Sequence, residues 1–196
     1  TEESVEEIDY TESPVFKARN STAGDLTLFW LNVIEKENKS EADLQGIPER
    51  YQKRLARIVS NRSTCSKHGQ MLLGENLNFL FSVDPSWSKN NLLPLFDINK
   101  DFEIAQNIWH GFLRSSRLDP SVTEKLEENY RNIFTKIDEV FPGERYVDRF
   151  FNHVVLIAIY HFDNPLGNWV KGFIAQISKD YPKKFAEKLK NHLDSM

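Results

Sequence analysis

The sequence predicts an all-α fold, and three observations carry that prediction. Apolar residues recur at helical spacing from Asp25 onward, no stretch sustains an apolar/polar alternation of period two, and most prolines stand where a helix would begin or stop. The expected architecture is an irregular stack of antiparallel helical hairpins of HEAT-like type, about eight to nine helices in all, with no fixed sequence period between them.

Residues 1–24 carry Glu2, Glu3, Glu6, Glu7, Asp9 and Glu12 with little apolar content and no initiating Met. They read as an acidic linker cut at a domain boundary of a longer polypeptide, with Val15 and Phe16 able to dock on the body. Residues 25–196 form the single predicted domain. Asp25 caps the first helix, whose Leu26, Phe29, Trp30, Val33 and Ile34 are expected to face inward. Pro48 opens the second, with Tyr51, Leu55, Ile58 and Val59 inside and Arg50, Lys53, Arg54 and Arg57 on the opposite side. A third, from Lys67 to Phe81, buries Leu73, Leu77, Leu80 and Phe81. Its Gly69 and Gly74 each cost about 1 kcal/mol inside a helix, so they mark close contacts.

The stretch from Asp84 to Leu118 is the most specific in the chain. Asp84 and Pro85 have the cap-then-proline form of a helix start, Pro94 breaks that helix, and Asp101 restarts one. Phe102, Ala105, Trp109, Phe112 and Leu113 then share a face, and Gly111 lets a neighbouring backbone come close. Asp119 and Pro120 begin a long helix in which Val122, Leu126, Tyr130, Ile133, Ile137 and Phe141 keep one phase for about five turns. Pro142 and Gly143 stop it. Tyr146 to Phe162 is apolar nearly all round and belongs at the centre. Asn164 and Pro165 start a helix with Leu166, Trp169, Val170, Phe173, Ile174 and Ile177 on one side. Asp180 and Pro182 introduce the last, with Phe185, Leu189 and Leu193 inside.

Composition narrows the function classes. A chain of 196 residues with 40% hydrophobic content supports one core. The net charge of -4 argues against coating nucleic acid or an anionic membrane through the overall field. Cys65 is the only cysteine, so there is no intramolecular disulfide and no thiolate cluster, which fits a reducing cytoplasmic setting. The longest apolar run, Val154 to Tyr160, falls far short of the roughly 20 residues that span a bilayer.

No Gly-rich phosphate loop, nucleophile elbow or metal-ligand spacing occurs, so no catalytic, cofactor-binding or metal residue is assigned. His153 and His161 lie about 80° apart around one helix and two turns along it, too far for one metal. His68, His110 and His192 are scattered. His161 beside Asp163, with Trp169 nearby, is what an enzyme built from distant helices would use. Asp84, Asp97, Asp101, Asp119 and Asp180 all flank helix ends, where capping accounts for them. The candidate binding surface is the basic stripe Arg50, Lys53, Arg54 and Arg57, extended by Arg62 and Lys67, together with Arg114 and Arg117. Such a stripe suits an acidic protein partner or, second, nucleic acid; a solvated face is its ordinary explanation. A further group, Lys179, Lys183, Lys184, Lys188 and Lys190, lies near the C-terminus.

The segments LNFLFSVDPSW (Leu77 to Trp87), NLLPLFDINKD (Asn91 to Asp101) and IWHGFLRSSRL (Ile108 to Leu118) resemble the helical domain of unknown function 4020. There a W-x-x-F-L-x-x-x-R-L core follows an L-L-P-L-F-D turn; the matching residues are Trp109, Phe112, Leu113, Arg117 and Leu118, after Leu92 to Asp97. Arg114-Ser115-Ser116 stands where many relatives carry a bulkier group. The resemblance implies a non-catalytic, C-terminal helical domain of a large bacterial protein, often one with an N-terminal sirtuin-like, NAD-cleaving domain used in antiphage defence. It supplies no catalytic residue or cofactor to carry over. It implies partners that are proteins or other domains of the same polypeptide.

Overall fold

The computed structural model describes residues 13–40, 46–115, 118–160, 168–179 and 181–195, of which only the backbone is described at Ser40 and Asn168. Among these residues every regular element is helical. Thirteen α-helices follow one another: α1 (Pro14–Arg19), α2 (Thr22–Ser40), α3 (Glu49–Ser60), α4 (Thr64–Glu75), α5 (Leu77–Val83), α6 (Pro85–Asn91), α7 (Phe102–Phe112), α8 (Pro120–Lys125), α9 (Glu127–Ile133), α10 (Ile137–Val140), α11 (Glu144–Tyr160), α12 (Asn168–Gln176) and α13 (Tyr181–Asp194). A 3₁₀ turn, Leu93–Phe96, lies between α6 and α7. No described helix is long and apolar enough to cross a membrane.

The count exceeds the expected eight to nine because periodicity does not register short breaks. Asn76 adopts φ -102°, ψ 17° and divides the expected third helix into α4 and α5. Its amide Nδ2 donates to the Leu72 carbonyl oxygen at 2.8 Å, a local bond that competes with the helical ladder. Leu126, at φ -95° and ψ 1°, divides α8 from α9, and Lys136 precedes α10. Leu126 and Ile137 are buried on either side of these breaks, so the hydrophobic phase survives while the helix does not.

The cap reading matches the structure at Asp84, Asp101 and Asp119, whereas Asp25 lies inside the first turn of α2 and does not cap it. Asp84 accepts from the Trp87 N–H at 2.8 Å, Asp101 from the Ile104 N–H at 3.2 Å, and Asp119 from the Ser121 N–H at 2.9 Å. Pro94 lies inside the 3₁₀ turn that ends the α6 segment.

α4 and α7 run side by side in the same direction. Lys67 pairs with Glu103 at one end, Gln70 Oε1 accepts from Asn107 Nδ2 at 3.2 Å in the middle, and Arg114 meets Glu75 at 3.2 Å just beyond the other end. The two backbones touch where Gly74 and Gly111 lie: a Cβ on Gly74 would stand 2.2 Å from the Ile108 carbonyl oxygen. α11 continues the row. His110 stacks on Tyr146 with ring centroids 4.1 Å apart, and Phe112 meets the His153 ring at 5.4 Å. α13 comes next, tied to α11 by Lys184–Asp148 at 2.6 Å and Tyr160–His192 at 3.1 Å. Four helices therefore lie in parallel.

Trp109 occupies the centre. It is fully buried, donates its indole N–H to the Phe96 carbonyl oxygen at 3.1 Å, and makes edge contacts with Phe96 at 5.0 Å and Tyr130 at 4.8 Å. Such pairs contribute about 1 kcal/mol each beyond the area they bury. Phe141 and Phe150 complete its surroundings. The specific stretch thus supplies Trp109 itself and its neighbours Phe96 and Phe112, and later helices supply Tyr130, Phe141 and Phe150.

Two sequence expectations are corrected at the N-terminal side. The boundary at residue 24 falls inside α2, and α1 packs on α4 with Val15 and Ala18 fully buried beside Met71 and Leu72. Of the expected inward residues of α2, Ile34 is fully buried and Trp30 and Val33 pack half-buried against the core, alongside the buried Thr27 and Leu31. Leu26 and Phe29 instead point outward, 55% and 53% exposed.

Candidate functional site

Two surfaces collect the chemistry that folding leaves unused. The first is the α2–α3 face. These helices are antiparallel: Arg50 pairs with Glu37 at 2.6 Å near one end, and the Arg54 guanidinium lies over the Trp30 ring, 4.3 Å from its centroid. Tyr51 donates its hydroxyl to the second Glu37 oxygen at 2.6 Å. That bond first, and Arg50 second, hold the Glu37 carboxyl below its ordinary range. Lys53 pairs with Glu49 at 2.8 Å, leaving Arg57 exposed and without an ion pair. Of the predicted stripe, then, two cations are neutralised by acids and one is laid on an aromatic ring. The arrangement is less suited to phosphates than the sequence alone suggests.

What the sequence reading missed is the apolar neighbour of that stripe. Leu26, Phe29, Trp30 and Val33 recur at i, i+3, i+4 and i+7 on α2, and only the Trp30 end is covered by α3. The register carries Arg57 toward the bare Leu26–Phe29 end. An exposed apolar strip bordered by a cation is therefore the form of this face. The spacing that signalled it was visible in sequence, but it was assigned to the core.

The second surface is a cleft of about 570 Å³ where the end of α7 meets α11 and α13. Arg114, Arg149 and Lys188 line it, with Asn152 and Asn191. His153 closes its inner wall, 3% exposed. Its Nε2 lies 3.1 Å from the Ser115 carbonyl oxygen and so carries the proton, while Nδ1 accepts from the Tyr130 hydroxyl at 3.0 Å. Burial, with Arg149 adding to it, pushes the imidazole down to about 4. Both nitrogens are thereby committed to structure, and the ring is neutral at pH 7.

The remaining sequence candidates divide plainly. Arg114 reaches this cleft, far along the chain from Arg50, Lys53, Arg54 and Arg57, so the predicted set forms two surfaces. Arg117, His161, Asp163 and Asp180 lie outside the described residues. Trp169 is a core residue, 3% exposed and 5.2 Å from the Phe134 ring, which removes it from the cleft of an enzyme reading. His68 Nδ1 meets the Ser21 hydroxyl at 2.8 Å. No group of three potential metal ligands occurs among the described residues.

Comparison of the chain with protein-family models, with curated proteins and with solved structures gives no match.

Proposed function

We propose that the chain is a non-catalytic helical interaction domain, and that a protein partner docks on the α2–α3 face. The observation that carries this reading is the strip Leu26–Phe29–Trp30, exposed at its Leu26 end and bordered by Arg54 and Arg57. An amphipathic helix laid along α2, with acidic residues on the flank facing Arg57, is the complementary partner. The cleft between α7 and α11 supports the non-catalytic part, since its one buried imidazole has both nitrogens engaged and offers no base. The parallel row α4, α7, α11 and α13 supports a HEAT-like stack, in which equivalent helices of successive hairpins lie side by side.

The resemblance to domain of unknown function 4020 extends the proposal. In that reading the domain is the C-terminal regulatory part of a larger cytoplasmic bacterial defence protein, and its partner is the sirtuin-like, NAD-cleaving effector or another domain of the same polypeptide. The test is co-purification of the chain with such a domain expressed in trans, with and without Phe29→Asp. Loss of capture with Phe29→Asp and no NAD turnover by the chain alone are expected. Capture that survives Phe29→Asp sinks the surface, and turnover by the purified chain sinks the non-catalytic reading.

A further inference from the structure

The cleft between α7, α11 and α13 carries an unbalanced charge. Arg114, Arg149 and Lys188 line it, and no carboxylate does among the described lining residues. Arg114 answers to Glu75 at 3.2 Å, an acid it shares with Arg19 at 2.9 Å, and Lys188 reaches Asp148 at 3.6 Å. Arg149 is different. It is half-buried on α11, has no ion pair and no hydrogen bond among the described residues, and feels the charges of Arg145 and Arg114 more than it feels the Glu75 carboxylate. A guanidinium packed among like charges and partly withdrawn from water is costly to keep, and folding alone would favour a neutral residue there. An anion entering the cleft would offset that cost by charge-assisted hydrogen bonds.

The size and walls of the cleft set the class of anion. A volume of about 570 Å³ lies within the range of small-molecule sites rather than of a channel for a polymer. Leu113, Val155 and Leu156 supply an apolar wall beside the cations, and Asn152 and Asn191 supply neutral donors at the rim. Arg149 brings the unanswered charge and Arg114 and Lys188, each already facing one acid, add donors beside it; a guanidinium fork that holds two oxygens suits a phosphate.

We propose that this cleft binds a small phosphomonoester, its phosphate held by Arg149 and Arg114 with Lys188 in support and its organic body against Leu113, Val155 and Leu156. The ligand is a small molecule with a terminal phosphate, not a nucleic-acid backbone, whose phosphates carry a single charge and lack the apolar group. The site lies apart from the α2–α3 face, so it stands or falls independently of partner docking there.

The test is titration of the chain with inorganic phosphate, phenyl phosphate and a 20-nucleotide single strand, followed by calorimetry and by the Arg Nε–Hε signals. Saturable binding of phosphate is expected, with phenyl phosphate at least tenfold tighter through the apolar wall. Arg149→Gln should reduce phenyl phosphate binding by 100-fold or more and Arg149→Lys by less, whereas Arg57→Gln should leave it unchanged. Arg149→Gln should also raise the thermal midpoint without ligand, because repulsion from Arg114 and Arg145 is relieved; a purely structural Arg149 would lower it. Absence of phosphate binding, binding indifferent to Arg149→Gln, or binding of the single strand without saturation by phenyl phosphate would overturn the proposal.

Discussion

A Cβ placed on Gly111 would lie 1.7 Å from the Met71 carbonyl oxygen, a distance no side chain tolerates. The clash is with backbone, so neither α4 nor α7 can yield by turning a side chain. Gly111→Ala is therefore expected to force the helices apart and cost at least about 3 kcal/mol, in the range of severe core overpacking. Gly74→Ala should act alike, against the Ile108 carbonyl oxygen. Gly172→Ala is the milder control: its nearest neighbour is the Arg131 guanidinium at 3.1 Å, a side-chain end held by Glu127 and the Trp169 ring rather than by backbone. Urea denaturation should show it within about 1 kcal/mol of the parent, the helix-propensity gain of alanine offsetting the displacement of Arg131.

Asp84 performs two tasks, one with each carboxylate oxygen. Oδ1 caps α6 at the Trp87 N–H, and Oδ2 accepts from the Ile47 N–H at 3.1 Å, fastening the segment before α3 to the core. Asp84→Ala should cost about 2 kcal/mol, roughly one for the cap and one for the orphaned amide. Asp119→Ala loses the cap of α8, for about 1 kcal/mol. The comparison of the two by denaturant midpoint isolates the Ile47 bond, and Asp84→Asn should recover part of it.

These two predictions rest on residues whose roles were readable from sequence, and the contrast with what was not readable has a physical cause. Caps, proline breaks and the small residue at a helix contact act within a few positions of themselves, so Asp84, Pro94, Asp101 and Gly111 announce their duties locally. Helix breaks such as Asn76 and Leu126 leave the hydrophobic phase unchanged and are invisible to periodicity. On α2 the expected inward residues Trp30, Val33 and Ile34 do pack on the core, but Leu26 and Phe29 of the same stripe do not, because the inward face at that end is made by Thr27, satisfied by donating to the Ala23 carbonyl oxygen at 2.8 Å. Arg149 carries no motif. Its significance comes from Arg114 and Lys188 arriving from other helices, and only the fold brings them together.

The exposed end of α2 supports a prediction about solubility. Leu26 and Phe29 contribute little to the core, so Leu26→Ser with Phe29→Asp should leave the unfolding free energy within about 0.5 kcal/mol of the parent for each change, as surface changes do. A buried stripe would respond very differently: Leu31→Asp, on the inward face at 4% exposure, should unfold the domain. Sedimentation at rising concentration should show the double variant less self-associating than the parent, since the apolar strip is the change.

Acid should weaken this fold through its two buried histidines. His110 is 6% exposed, stacked on Tyr146, and neither ring nitrogen has a hydrogen-bond partner; burial pushes it down to about 4. His153, against Tyr130 and Arg149, is pushed to about 4 as well. In the unfolded chain each titrates near its ordinary value of about 6.5. Between those limits the unfolded state binds protons that the folded state refuses, so stability is full above pH 6.5 and falls as pH drops toward 4. The expected loss is on the order of 2 kcal/mol per histidine by pH 5. His110→Leu removes one contributor and the two unpaired nitrogens, at the cost of the stack on Tyr146, and should stay within about 1 kcal/mol of the parent at pH 7. Its denaturant midpoint should nevertheless decline only about half as steeply from pH 7 to pH 5. An unchanged slope in His110→Leu would show that His110 is charged in the fold, which its position between α7 and Tyr146 forbids.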